Sequence, residues 1–175
     1  MVGLWLRNII RVLFFIALQA LVINKLDLFQ GMILPLVYIF SILMLPIGIP
    51  RWIYLIVGFF VGMMMDAFTN TLGMHTSACT LLGFIIPLIH NLFSPRDGYE
   101  SNDRPTIQDL GLTWYLFFAF SLSLLHHTWL FFVEALSFDF FWHTLGKIAL
   151  STLATVALLV LAQYLIFQPD KRRAI

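Results

Sequence analysis

Charged residues are scarce in this chain. Of its 175 residues only 11% are Asp, Glu, Lys or Arg, whereas 61% are hydrophobic, and the mean hydropathy is +0.92. A water-soluble domain usually carries about 25% charged residues, so this chain has too few to cover a surface exposed to water. The scarcity excludes an ordinary soluble domain and favours an integral membrane protein.

Motifs of enzymes and of nucleic-acid-binding proteins are also missing. The sequence has no glycine-rich phosphate loop, no nucleophile elbow, no His-Glu-x-x-His helix and no basic tract. We therefore expect neither enzymatic activity, nor a cofactor, nor a nucleic-acid partner. The single cysteine, Cys79, excludes an internal disulfide. Adjacent His126 and His127 point to different sides of a helix, and their spacing from Glu134 and His143 does not predict a metal site.

Long apolar runs are what the sequence contains instead. A helix needs about 20 residues to cross the hydrocarbon core of a bilayer. The uncharged stretches predict six spans, at 5–23, 32–49, 52–71, 75–94, 111–133 and 146–167. The expected fold is an all-α integral membrane protein, a compact bundle of about six transmembrane helices that forms a single polytopic domain over residues 1–175.

Basic residues predict the orientation of this bundle. Six spans place both termini on the same side, and if that side is the cytoplasm only Lys25 and Lys147 lie outside. The basic residues that then face the cytoplasm are Arg7, Arg11, Arg51, Arg96, Arg104, Lys171, Arg172 and Arg173. Such an asymmetry across short loops follows the positive-inside rule. The sequence thus predicts a multi-pass protein of the cytoplasmic membrane with both termini in the cytoplasm.

One face of the third predicted span combines small and acidic residues. Gly58, Gly62 and Asp66 stand four residues apart and so lie above one another on a helix. Glycines let a neighbouring helix approach closely, and a carboxylate in an apolar span marks a structural or functional contact. Two interpretations stay open: Asp66 holds the turn that follows it, or the face contacts a partner helix or a small polar ligand. Because no second carboxylate lies mid-membrane, a proton relay is not predicted.

The same face belongs to a longer pattern. Gly58-x-x-x-Gly62-x-x-x-Asp66, followed by Thr71-Leu-Gly73-Met-His75 and another apolar span, resembles the rod shape-determining protein MreD family. The resemblance is carried by about residues 50–90 and elsewhere by length and hydropathy. It implies a fold similar to the substrate-binding subunit of energy-coupling-factor transporters. The positions that match, and that become candidate helix-packing or partner-contact residues, are Gly58, Gly62, Asp66 and Gly73.

Two functions are then expected. The resemblance implies a non-enzymatic scaffold of the bacterial elongasome in the inner membrane, which binds the bitopic protein MreC and lies near the MreB-type filament. It would support peptidoglycan synthesis by a RodA-type polymerase and a penicillin-binding transpeptidase. The alternative is a substrate-binding membrane subunit of a small-molecule (vitamin) transporter, with its ligand in an outward-facing pocket near Asp66. The outer loops 24–31 and 66–75 are short and supply few of the polar groups that such a pocket needs.

Overall fold

The described part of the chain is helical. The computed structural model describes residues 2–26, 28–100, 103–136 and 140–167, and the side chains from Leu6 onward. The α-helices are α1 (Val2–Leu21), α2 (Phe40–Leu43), α3 (Arg51–Thr69), α4 (Met74–Leu92), α5 (Ile107–Leu110), α6 (Leu112–Ala135) and α7 (Phe141–Ile166). Short 3-10 helices occupy Ile23–Lys25 and Val37–Ile39.

Five segments among the described residues are long and apolar enough to cross a membrane. They are Leu6–Lys25, Arg51–Thr69, Met74–Leu92, Leu112–Ala135 and Phe141–Ile166. The expectation of an all-helical, multi-pass membrane protein is confirmed at this level. Five of the six predicted spans correspond to these segments, with ends that differ by a few residues.

The second predicted span, 32–49, differs in the structure. Only the 3-10 helix Val37–Ile39 and the single turn α2 are helical there, and Pro35 and Pro46 stand on either side of them. Proline lacks the N–H that a helix ladder requires, so neither end of this short helical piece can be extended regularly. Every residue from 35 to 45 is buried inside the protein. The apolar run therefore reflects burial among other helices and not a lipid-facing helix. We call residues 34–46 the crossing segment.

The crossing segment runs antiparallel to α1. Near its beginning, Gln19 of α1 donates to the carbonyl oxygen of Pro35 (3.0 Å) and accepts from the N–H of Val37 (2.7 Å). Near its end, Arg11 donates to the carbonyl oxygen of Met44 (2.8 Å). The two anchoring residues of α1 are eight apart, which is about 12 Å along a helix. The chain therefore returns through the bundle before α3 begins, although it does so without a long helix.

This path separates the described basic residues between two ends of the bundle. We call the end at which α3 begins and α4 ends the arginine end, and the opposite end the lysine end. The arginine end carries Arg7, Arg11, Arg51, Arg96 and Arg104, whereas Lys25 and Lys147 lie at the lysine end. The predicted inward-facing residues 171–173 lie outside the described residues. The described residues thus have the asymmetry that the orientation argument requires.

Candidate functional site

Asp66, near the end of α3, holds the turn into α4. Its Oδ1 accepts from the hydroxyl of Thr71 (2.6 Å) and from the N–H of His75 (3.0 Å). Its Oδ2 accepts from the N–H of Thr76 (2.9 Å) and from the hydroxyl of the same residue (2.5 Å). The first N–H groups of a helix have no partner within it, and Gly73, which precedes α4, has no side chain to offer. Asp66 therefore caps α4 from the neighbouring helix.

Gly58 and Gly62 bring the backbones of α3 and α4 into contact. A Cβ atom at Gly58 would overlap the carbonyl oxygen of Cys79, and one at Gly62 would overlap the Cα atom of Thr76. Both obstacles are backbone atoms, which cannot move without displacing a helix. Small residues at these positions therefore set the distance between the two helices.

α3, α4 and the turn between them form a helical hairpin, to which two further glycines contribute. Gly83 of α4 packs on α3 in the reciprocal manner, because a Cβ there would overlap the carbonyl oxygen of Tyr54. Gly73 has a φ of +80°, a left-handed conformation that glycine adopts without strain, and no atom lies within 4 Å of the position its Cβ would take. The sequence pattern identified Gly73 but missed Gly83. The role of Gly83 becomes visible only when the antiparallel register of α3 and α4 is known.

The structure therefore brings the four predicted positions together at one hairpin. Gly58 and Gly62 face α4, Asp66 caps α4, and Gly73 makes the turn. Of the two open interpretations, holding the turn accounts for all four hydrogen bonds of the Asp66 carboxylate. A partner that touches this hairpin must approach it from another side.

A buried polar cluster, not predicted from the sequence, joins the crossing segment to α4 and α6. The hydroxyl oxygen of Tyr38 lies 2.8 Å from His75 Nδ1 and 3.0 Å from His126 Nε2. The thiol of Cys79 donates to the same oxygen at 3.6 Å. Tyr38, Cys79 and His126 are fully buried, and His75 is nearly so. The cluster fixes the middle of the crossing segment.

The unpaired nitrogen of His126 indicates the direction of these bonds. Its Nδ1 has no hydrogen-bond partner among the described residues. An orphaned N–H is rarer in protein interiors than an orphaned acceptor, so we assign the His126 proton to Nε2, from where it donates to Tyr38. Tyr38 then donates its own proton to His75 Nδ1. One hydrogen-bond chain thus runs from α6 through the crossing segment to α4.

His127 faces a different side of α6 from His126, as the sequence predicts for adjacent histidines. Its Nδ1 lies 2.7 Å from the carbonyl oxygen of Ser123 and so carries the proton; its Nε2 lies 3.3 Å from Thr155 Oγ1. Both histidines are buried because α6 has protein on both of these sides. Within the described ranges, no group of three His, Cys, Asp or Glu side chains is placed to hold a metal ion.

Side chains of α7 supply hydrogen bonds that the crossing segment does not make with itself. The N–H of Leu34 donates to the hydroxyl of Ser151 (2.9 Å), and the N–H of Leu36 donates to the hydroxyl of Thr155 (2.9 Å). Irregular backbone at membrane depth is tolerated only where protein or water satisfies its polar groups. Together with Gln19 of α1, these hydroxyls make the crossing segment possible.

A groove of about 570 Å³ lies on the surface between α3 and α4. Large apolar side chains and small residues line it: Leu55, Phe59, Leu81, Phe84, Gly73, Thr76, Ser77 and Thr80. Its three hydroxyls already donate within the chain, to Asp66 Oδ2 and to the carbonyl oxygens of Met74 and Thr76. Phe59 and Phe84 are half exposed, so the groove faces away from the core.

Long apolar helices that enclose the irregular crossing segment define a multi-pass helical membrane protein. No protein-family model, no curated protein and no solved structure matches the chain.

Proposed function

We propose that this chain is a non-enzymatic scaffold of the MreD type in the bacterial inner membrane, which supports peptidoglycan synthesis along the side wall. In this proposal it binds the single transmembrane helix of an MreC-type protein and so links the MreB-type filament to the RodA-type polymerase and the penicillin-binding transpeptidase. The observation that carries the proposal is the groove between α3 and α4.

The chemistry of the groove suits a helix. Small residues such as Gly73 and Thr80 allow the backbone of another helix to come close, and Phe59 and Phe84 offer broad apolar surface beside them. Because the hydroxyls already donate within the chain, an apolar helix can cover them without leaving a donor unpaired.

The hydrogen bonds of Asp66 favour the scaffold over the transporter subunit. A vitamin bound near Asp66 would use the carboxylate as a polar contact, but all four of its described hydrogen bonds are made to the turn and to α4. A ligand would have to break the cap of α4 in order to bind there. The scaffold needs no such rearrangement.

The path of the chain also supports the proposed fold and orientation. Counted with the crossing segment, the described part of the chain passes through the bundle six times, which is compatible with the proposed fold similar to the substrate-binding subunit of energy-coupling-factor transporters. We infer that both termini lie at the arginine end and that this end faces the cytoplasm.

Cysteine crosslinking in living cells tests the groove. Ser77→Cys and Thr80→Cys place a thiol in it, and Leu153→Cys on α7 is the matched control, since Leu153 is exposed on a different helix. The native Cys79 is fully buried and so does not compete. We expect the groove positions, and not the control, to crosslink to a single-pass protein encoded beside an actin-like filament protein. Equal crosslinking from all three positions, or none from the groove, contradicts the proposal.

Screening the purified protein against vitamins by thermal shift tests the alternative. The scaffold proposal expects no compound to raise the unfolding temperature. A clear, saturable shift with one vitamin would favour the transporter subunit.

A further inference from the structure

A cavity of about 590 Å³ opens at the arginine end, between the beginning of α3, the end of α4 and the loop that follows α4. This volume is within the range of small-molecule sites in proteins. The polar residues that line it are Arg51, Tyr54, His90, Asn91, Tyr99 and Glu100. It is separate from the groove and from the predicted site at Asp66.

The cavity presents one cation and one anion. Arg51 lines the cavity and is the first residue of α3, so the cavity also adjoins the positive dipole end of a 19-residue helix. Glu100, on the loop, supplies a carboxylate to the same cavity. Within the described part of the chain, neither side chain forms an ion pair. A ligand with both charges would complement the two residues at once.

The inner wall contains an incompletely satisfied group. His90 is only 4% exposed, and its Nε2 has no hydrogen-bond partner among the residues described. Its ring is held in place by stacking on Phe118, with ring centroids 5.2 Å apart. An atom buried to this degree does not reach the cavity surface, so we assign no proton to Nε2, as for His126 Nδ1, and the stacked ring forms a rigid part of the inner wall.

The loop beside the cavity is anchored. Tyr99 donates its hydroxyl proton to the carbonyl oxygen of His90 at 2.8 Å, which ties the loop to the end of α4. Glu100 directly follows Tyr99, so this bond also limits how far its carboxylate can move from the cavity. The site is therefore built from two helix ends, the turn of residues 47–49 before α3, and a loop that Tyr99 anchors.

The depth of the cavity matches the headgroup layer of a membrane. Arg51 begins a membrane span, and the adjacent Trp52 is 60% exposed, as expected for an aromatic residue at the interface. Exposed apolar side chains continue along the same two helices; Leu88 of α4, for example, stands three residues before Asn91, which lines the cavity. A ligand with a polar head at the cavity would therefore have apolar side chains beside its acyl chains.

We propose that this cavity binds the headgroup of a phospholipid in which a phosphate is joined to a primary ammonium group. The phosphate lies at Arg51 and the beginning of α3, and the ammonium group lies at Glu100. The acyl chains follow the exposed apolar side chains of α3 and α4. This binding does not depend on the scaffold proposal.

Binding of short-chain lipids to the purified full chain in detergent tests the site. The probes are dihexanoyl phosphatidylethanolamine, phosphatidylcholine and phosphatidylglycerol, together with free phosphoethanolamine. We expect phosphatidylethanolamine to bind about tenfold more tightly than the other two lipids, because only its headgroup offers Glu100 both a positive charge and N–H donors. Choline has the charge but no donor, and glycerol has hydroxyl donors but no charge. Free phosphoethanolamine should bind more weakly than the lipid, since it lacks the chains.

Two variants separate the contributions of the two charges. Arg51→Gln should weaken phosphatidylethanolamine and phosphatidylglycerol binding alike, by about tenfold, since both carry the phosphate. Glu100→Gln should abolish the preference for phosphatidylethanolamine and leave phosphatidylglycerol binding unchanged. Arg96→Gln and Asp97→Asn, in the same loop but outside the cavity, are matched controls and should bind all probes normally.

Several outcomes would overturn the proposal. Equal affinity for the three lipids removes the role of Glu100, and normal binding by Arg51→Gln removes the phosphate site. Free phosphoethanolamine that binds as tightly as the lipid rules out a membrane lipid as the specific occupant. Unfolding temperatures of the variants without lipid verify that each one is folded.

Discussion

Replacing Asp66 by asparagine tests the cap between α3 and α4. The two side chains have the same shape, but asparagine has one acceptor oxygen where aspartate has two. In the structure each carboxylate oxygen receives one backbone N–H, from His75 or from Thr76, and one hydroxyl. The threonine hydroxyls can rotate to accept from the new side-chain NH₂ group. The backbone N–H of His75 or of Thr76, whichever faces this NH₂ group, is left without an acceptor.

The magnitude follows from that count. A buried N–H without a partner costs about 1–3 kcal/mol, and the remaining hydrogen bonds lose the benefit of the negative charge, so we expect Asp66→Asn to destabilise the chain by about 3 kcal/mol. For a chain of this length that corresponds to a fall of about 6–12 °C in the unfolding temperature.

Tryptophan fluorescence during thermal unfolding in detergent measures the fall. Asp97→Asn is the control, since it makes the same chemical change at an exposed loop position. Thr76→Val removes one donor of the same network, and the double variant with Asp66→Asn should cost less than the sum of the two single changes. If Asp66→Asn unfolds within about 1 °C of the native chain, the carboxylate does not cap α4 and the reasoning is refuted.

Three further changes probe other contacts. Gly83→Ala should destabilise the protein by about 2 kcal/mol or more in thermal unfolding, because the new Cβ meets the backbone of α3. Gly146→Ala is the control: its Cβ meets only the end of a flexible side chain, so the change should be neutral or stabilising. Gln19→Leu leaves backbone groups of the crossing segment unpaired and should speed hydrogen exchange there; unchanged protection contradicts the role given to Gln19. Burial raises the pKa of Tyr99, so its bond to His90 should persist below the ordinary value of about 10 and be lost as pH rises through the higher native value. Tyr99→Phe should remove that alkaline step from the pH profile of the unfolding temperature.

Hydropathy predicted the long helices because each of them has a lipid-facing side that must be apolar along its whole length. It failed for residues 32–49, where the same apolar run is required by burial inside the protein. Contact with lipid and burial inside the protein both require an apolar run, so the sequence alone does not distinguish them. Pro35 and Pro46 flank this run, but proline also occurs at the ends of ordinary membrane spans, so its presence does not distinguish a buried segment from a span.

The hairpin was more predictable than the polar cluster. Gly58, Gly62 and Asp66 share a face by spacing along one helix, so a single sequence reveals them. Tyr38, His75 and His126 meet through three separate elements, and no spacing along the chain connects them. The adjacent pair His126 and His127 was correctly expected to diverge. What the sequence did not show is that α6 is surrounded by protein on both of these sides.

The crossing segment also constrains the order in which the protein can be completed. The N–H groups of Leu34 and Leu36 are bonded by Ser151 and Thr155, which follow them by 117 and 119 residues. A ribosome must therefore synthesise the chain as far as Thr155 before both of these bonds can form. Until α7 arrives, the early part of the protein can insert in the membrane but cannot reach its final packing. The synthesis of α7 thus completes the hydrogen bonding of the crossing segment.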